Sequence, residues 1–263
     1  MEVINATQHL NGATWIKLMS PDQLKVKFPW LNLEGIALGS FGESNEGYFD
    51  PWSLLQAMKA KARSLGVEYI TASAVDADIK QVDIGSYSID SVSVEIKGPN
   101  GGSSVEKIHG SKYVNCAGSW SPNIIKFMAA KCPNPASIAQ LPIERRKRSI
   151  FCVQSSPQEH SPNPLPPKNA PLVIDTTGVY FRPEKTQHRY ITGVSPPEDQ
   201  DRGSTCDSDL EHTDHKIFDE TLWPTLYNRI PAFESLKVLS YWSGFYDYNI
   251  VDQVIKTLFL CLN

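Results

Sequence analysis

The chain has 263 residues and a formal net charge of −4, from 25 Lys and Arg against 29 Asp and Glu. That length can bury a sizeable core in one large or two smaller domains, and an apolar content of 41% is that of an ordinary globular protein. No basic stripe suggests nucleic acid or an anionic membrane surface as a partner.

The five cysteines (116, 132, 152, 206 and 261) include no C-x-x-C pair, and their odd number fits a reducing compartment better than a disulfide framework. No run approaches the roughly 20 apolar residues of a spanning helix, so the chain is not expected to cross a membrane. The N-terminus has no charged-then-apolar signal peptide, and the first arginine is Arg63, so no Arg-rich transit peptide is visible.

In chain order, Ser20-Pro21-Asp22-Gln23 offers a Ser cap, a Pro at the first helical position and a Gln at the third, which predicts a short helix over 20–27. Asp50 and Pro51 open a second helix. Trp52, Leu55, Met58, Ala62 and Leu65 share one of its faces before Gly66 closes it. A strand "VEYIT" is expected next. From Val75 to Asn115 the pattern alternates, with "GPNGG" as a turn, and predicts a small β-meander.

The meander feeds "KYVNCAGSWSPNI", which reads as a strand, a tight turn of small residues and the start of a helix. Such turns present backbone N–H groups to phosphate. Beyond Pro142 come the basic run "ERRKR", a strand "SIFCVQ" and a loop over 155–171 holding six prolines. Strands are expected in "LVIDTTGVYFRPE", "RYITGV" and "KVLSYWSGFYDY", with a helix from about His212 to Asn228. The first 140 or so residues are therefore mixed α/β, and the remainder is a largely antiparallel sheet with one long helix. The apolar end "VIKTLFLCLN" is about ten residues long and reads as a buried segment or a sticky tail.

The chemistry-bearing candidates are few. There is no G-x-S-x-G, no G-x-x-x-x-G-K-[ST] and no G-x-G-x-x-G. His212 and His215 lie among Asp209, Glu211 and Asp214, a pattern read as an acidic first helical turn in preference to a metal site. Cys116 has no visible base and stands where a buried small residue is expected. Tyr180 and Arg182 share a strand face, so a phenol and a guanidinium project together, a pairing suited to a carboxylate or to an acidic neighbour. The aromatic cluster Tyr241, Trp242, Phe245, Tyr246 and Tyr248 reads as core filler or as the wall of a flat apolar pocket.

The order and spacing of "GYFDPWSLLQAMKAKARSLGVEYI", "YVNCAGSWSPNI", "TTGVYFRPE" and "YWSGFYDYNIVDQ" resemble the D-amino-acid oxidase/sarcosine oxidase family of flavoproteins. The resemblance implies a partial FAD-binding domain over 1–142 that includes the start of a substrate domain, an antiparallel substrate domain over 143–250, and an atypical tail over 251–263. It implies FAD as cofactor, with Ala117, Gly118, Ser119 and Trp120 near its pyrophosphate and ribityl chain and Val75 beside the adenine. Tyr180 and Arg182 are implied to face an amine or amino-acid substrate, whose hydride would pass to the flavin.

The family pattern begins with a G-x-G-x-x-G unit and closes with a segment over the flavin, and neither is visible in this sequence. The resemblance is thus to the middle of a family member, and weak or no FAD binding is expected from these residues alone. With "LPIERRKR" and "RIPAFESLKV", the likeness further implies a mitochondrial setting and complex I subunits or assembly intermediates as partners. The alternative is a non-catalytic assembly or chaperone-like binding protein.

Overall fold

The chain forms, in order, α1 (Glu2–Leu10), β1 (Ile16–Met19), α2 (Pro21–Lys27), β2 (Gly39–Gly42), α3 (Pro51–Ser64), β3 (Ser73–Asp83), β4 (Ser86–Lys97), β5 (Ser103–His109), β6 (Tyr113–Asn115), α4 (Ser121–Lys131), β7 (Ile143–Gln154), β8 (Val173–Ile174), β9 (Tyr180–Pro183), β10 (Arg189–Gly193), β11 (Gly203–Ser204), α5 (Trp223–Arg229), β12 (Lys237–Asn249) and β13 (Leu260–Leu262). The structure is a computed structural model and describes residues 1–84, 86–138, 140–156, 162–251 and 260–262. It is a mixed α/β chain with antiparallel sheets and few helices.

Several elements follow directly from local chemistry. The Ser20 hydroxyl accepts from the Gln23 N–H at 3.4 Å while the Gln23 side chain accepts from the Ser20 N–H at 2.9 Å, a reciprocal cap that starts α2 where the sequence places it. The predicted meander is present as β3-β4-β5, and its turn places Gly101 at φ +79°, a conformation that costs glycine nothing. The strand after Pro142 starts at Ile143 and so absorbs the basic run, its charged first half leading into the apolar second half. The helix α1 and the antiparallel pair β1–β2 carry no expectation from the sequence.

Three expectations are corrected. Val67–Thr71 forms no strand: no described strand is bonded to it, and a strand exists only through its ladder. The helix expected from His212 begins after His215 and contains a π segment at Phe218–Leu222. Pro224 has no N–H to offer the carbonyl of residue 220, and the wider turn absorbs that gap. Cys116 is exposed, because Asn115 occupies the inward position and side chains alternate along the chain at the end of β6. Most of the C-terminal tail, and residues 157–161 of the Pro-rich loop, lie outside the described residues.

The chain divides into two units. The first comprises Met1–Pro51, Arg148–Asp201 and Ser208–Gly244. Its sheet runs β7-β10-β9-β8, all antiparallel, with β12 also on β7. Phe151, Val153, Phe181 and Tyr190 on one sheet face pack with Trp30, Leu222, Leu226, Ile230 and Phe233. The Tyr190 and Phe233 rings lie 4.7 Å apart. Burying several such side chains, each contributing about 1.5–3 kcal/mol, makes this the main core of the unit.

The second unit comprises Trp52–Lys147, Arg202–Asp207 and Phe245–Asn263. Helix α4 packs Ile125 and Met128 onto Ala77 and Ile89 of the meander. At the C-terminus of α4, Lys131 is ion-paired with Asp76 at 2.5 Å and with Asp78 at 2.7 Å. None of the α3 side chains is buried, and Trp52 and Met58 are 67% and 63% exposed.

Candidate functional site

The turn between β6 and α4 is built by Asn115, a residue the sequence reading did not single out as functional. Its Oδ1 accepts from the Ala117 N–H at 3.2 Å, and its Nδ2 donates to the Ser121 carbonyl at 3.1 Å, so one buried side chain ties the strand end to the helix start. An Asn at a strand end before small residues is a turn signal that could have flagged it. Gly118 adopts φ +53°, and nothing lies within 4 Å of where a Cβ would stand. The backbone is therefore open on that side.

Ser119 is buried, yet its hydroxyl has no hydrogen-bond partner among the described residues. Helix α4 continues directly from this turn: the Ser121 N–H donates to the Gly118 carbonyl, Pro122 has no N–H, and no described side chain caps the helix, so its positive dipole end lies beside the turn. Trp120 at the end of the turn donates its indole N–H to Asp207 Oδ1 at 3.0 Å. An orphaned hydroxyl, a left-handed glycine beside open space and an uncapped 11-residue helix together fit a phosphate-bearing ligand.

Val75 lies in the same unit at a register shift of the β3–β4 ladder: Ala74 pairs with Val94 and Asp76 with Ser93, and Val75 is skipped. A bulged residue keeps its main-chain groups out of the ladder, which is what main-chain contact to a base requires. The adjacent Asp76 is held by Lys131, whose hydrogen bond lowers its pKa against the opposing effect of burial.

In the other unit, Tyr180 and Arg182 project from the same face of β9 while Phe181 between them enters the core. The Arg182 guanidinium is ion-paired with Glu184 at 2.7 Å, donates to the Pro183 carbonyl at 3.0 Å and lies 4.9 Å from the centroid of the Tyr48 ring. Burial pushes the Tyr48 phenol up, with the Arg182 charge opposing. Thr192 donates to the Tyr180 carbonyl at 2.7 Å and locks β9 to β10. Arg182 thus has the acidic neighbour the sequence reading allowed for. A carboxylate ligand would have to compete with Glu184.

His215 meets the Tyr241 ring edge-on at 4.2 Å, and no described group of three His, Cys, Asp or Glu is placed to hold a metal ion. Tyr241, Trp242 and Tyr246 are all exposed on β12. No described helix is long and apolar enough to cross a membrane.

Residues 2–260 match the family described as DAO, FAD dependent oxidoreductase. The chain is 39% identical over 246 residues to FAD-dependent oxidoreductase domain-containing protein 1 of Xenopus laevis, covering 90% of this chain and 47% of that protein. It is 37% identical over 256 residues to the Bos taurus protein of the same name, covering 94% and 50%. The chain spans about half the length of these curated relatives. Its fold is similar to that of L-proline dehydrogenase from P. horikoshii, with a TM-score of 0.64 at 21% identity over 92% of this chain and 55% of that one. The chain belongs to the DAO family of FAD dependent oxidoreductases.

Proposed function

We propose that this chain supplies a phosphate-facing turn and a substrate-facing sheet to an FAD-dependent oxidation of an amine or amino acid. The observation that carries the reading is the Gly118–Ser119 turn, where a partnerless buried hydroxyl and an open left-handed glycine meet the uncapped N-terminus of α4. When bound, FAD supplies the two-electron acceptor for hydride leaving a carbon next to nitrogen.

The chain's own residues then have separable tasks. The Ser119 hydroxyl and the positive dipole end of α4 attract an anionic phosphate, Ala117 and Gly118 let the backbone approach it, and Trp120 flanks the turn. Val75 offers main-chain groups to the adenine. Arg182 holds a substrate carboxylate with two N–H groups, and Tyr180 on the same face orients it. Glu184 neutralises Arg182 when no substrate is bound.

The likeness of "LPIERRKR" and "RIPAFESLKV" to the family supports extending the proposal to a mitochondrial setting, with complex I subunits or assembly intermediates as partners. A second reading, a non-catalytic assembly or chaperone-like binding protein, is favoured by the exposed apolar side chains of α3. The test is a flavin absorbance titration of the purified chain, repeated on Gly118→Asp. Saturable perturbation of the FAD spectrum that Gly118→Asp abolishes supports the first reading. An FAD spectrum unchanged at saturating protein sinks it, and complex I subunits that co-purify equally with Gly118→Asp support the second.

A further inference from the structure

Four side chains from distant parts of the second unit form a closed ring of contacts that includes Trp120 of the candidate cofactor turn. Trp120 donates its Nε1–H to Asp207 Oδ1 at 3.0 Å, and the same oxygen accepts from Arg145 Nη1. Arg145 Nη2 donates to the Thr205 carbonyl at 2.9 Å. The Arg145 guanidinium lies 5.6 Å from the centroid of Phe245, and the Phe245 ring meets Trp120 edge-to-face at 5.7 Å and 65°. Asp207 is 87 residues from Trp120 and 62 from Arg145, so tertiary structure alone assembles the set.

We propose that Asp207 and Arg145 are positioning residues that clamp the Trp120 indole, and through it the Gly118–Trp120 turn, in the conformation that receives an anionic dinucleotide. The inference rests on the FAD reading given above. Three constraints converge on one indole: a hydrogen bond to a charged acceptor fixes its N–H edge, Phe245 fixes its plane, and Arg145 holds both partners.

The clamp also solves an electrostatic problem. A lone carboxylate beside the turn would repel a phosphate, and Arg145 cancels that charge while leaving Asp207 oriented towards the indole. The strand β11 delivers the loop that carries Asp207, through the pairing of Gly203 with Arg146 and of Ser204 with Arg145. Arg145 is largely covered, with 18% of its side chain exposed, whereas Asp207 is 66% exposed. Removing the Asp207 carboxyl leaves the Arg145 guanidinium its hydrogen bond to the Thr205 carbonyl and its contact with Phe245, and the exposed position of Asp207 itself tolerates a smaller side chain.

The test labels the chain with 5-fluorotryptophan, which gives six ¹⁹F resonances, and assigns that of residue 120 as the one missing in Trp120→Phe. In the ligand-free chain, Asp207→Ala is expected to shift or broaden the Trp120 resonance and leave the other five in place, which also reports that the variant is folded. FAD titration is then expected to weaken on the order of tenfold for Asp207→Ala, the scale of one hydrogen bond to a charged group. Trp120→Phe should weaken it similarly, and the double variant no further, because both changes break the same contact. An unmoved Trp120 resonance, or losses that add in the double variant, overturns the clamp. If the unsubstituted chain takes up no FAD, the cofactor reading fails, and the ligand-free resonance still decides whether the clamp exists.

Discussion

Arg229, at the end of α5, donates through Nε to the Asp175 carboxylate at 2.7 Å, with both side chains almost fully covered. The same guanidinium donates to the Asn32 carbonyl at 2.6 Å, and Asp175 Oδ1 accepts from the Thr177 N–H at 3.0 Å. One ion pair therefore joins the segment after α2, the β8–β9 turn and the last helix of the first unit. Asp175→Ala leaves the Arg229 charge buried and unpaired. It should destabilise the protein by on the order of 3–5 kcal/mol, read from the midpoint of urea unfolding.

That pair also sets an acid limit. Burial pushes the Asp175 carboxyl up, but the Thr177 and Arg229 hydrogen bonds outweigh it and leave the pKa below its ordinary value. A folded-state pKa below the unfolded one means stability is present above the unfolded value, about 4, and is lost as pH falls through the folded one. Unfolding midpoints measured from pH 6 down to pH 2 should drop more steeply in the wild-type chain than in Asp175→Asn.

Tyr190 carries the opposite sign. Its buried hydroxyl donates to the Pro166 carbonyl at 2.9 Å, and burial pushes its pKa up to about 12. Its contribution is whole below the unfolded value, about 10, and is lost as pH rises towards the folded one. Tyr190→Phe should cost about 1–3 kcal/mol at neutral pH, because the Pro166 carbonyl loses its donor. It should also remove one phenol that ionises at high pH from the alkaline absorbance curve.

Gly118→Ala tests the turn with one carbon. A residue bearing a Cβ pays roughly 1–2 kcal/mol for the left-handed conformation, although no atom of the protein blocks the space. The variant should fold with that loss of stability and bind FAD more weakly than the wild type. Binding unchanged from the wild type would place the cofactor elsewhere.

On the proposed reading, variants of Arg182 and Glu184 separate carboxylate binding from chemistry. With N-methyl or D-amino acids as substrates, Arg182→Met should raise KM by on the order of tenfold to a hundredfold, the scale of a charged hydrogen bond, with kcat changing far less. Glu184→Gln should lower KM, since it removes the competing carboxylate. Steady-state flavin reduction measures both.

What could be read along the chain was what neighbours decide. The Ser20 cap, the helix after Pro51, the GPNGG turn, and the strand, small-residue turn and helix around Gly118 all depend on hydrogen bonds and dihedral preferences within a few residues. They appear where the sequence places them. The pairing of Tyr180 with Arg182 on one face was equally local, a consequence of the two-residue repeat of a strand.

Tertiary structure decided the rest. Val67–Thr71 has strand composition and no ladder partner among the described residues, and it forms no strand. Pro224 turned a predicted long helix into a π segment followed by a short α-helix, since a missing N–H tells only within a formed ladder. Asn115 and Ser119 acquired meaning when the turn closed: one satisfied both its ends, and the other kept a buried hydroxyl without a partner. Asp175 with Arg229, and Asp207 with Trp120 and Arg145, carry the same lesson. Residue types state which charges and rings are available, but partners across 54 to 87 residues are chosen by how sheets and helices pack.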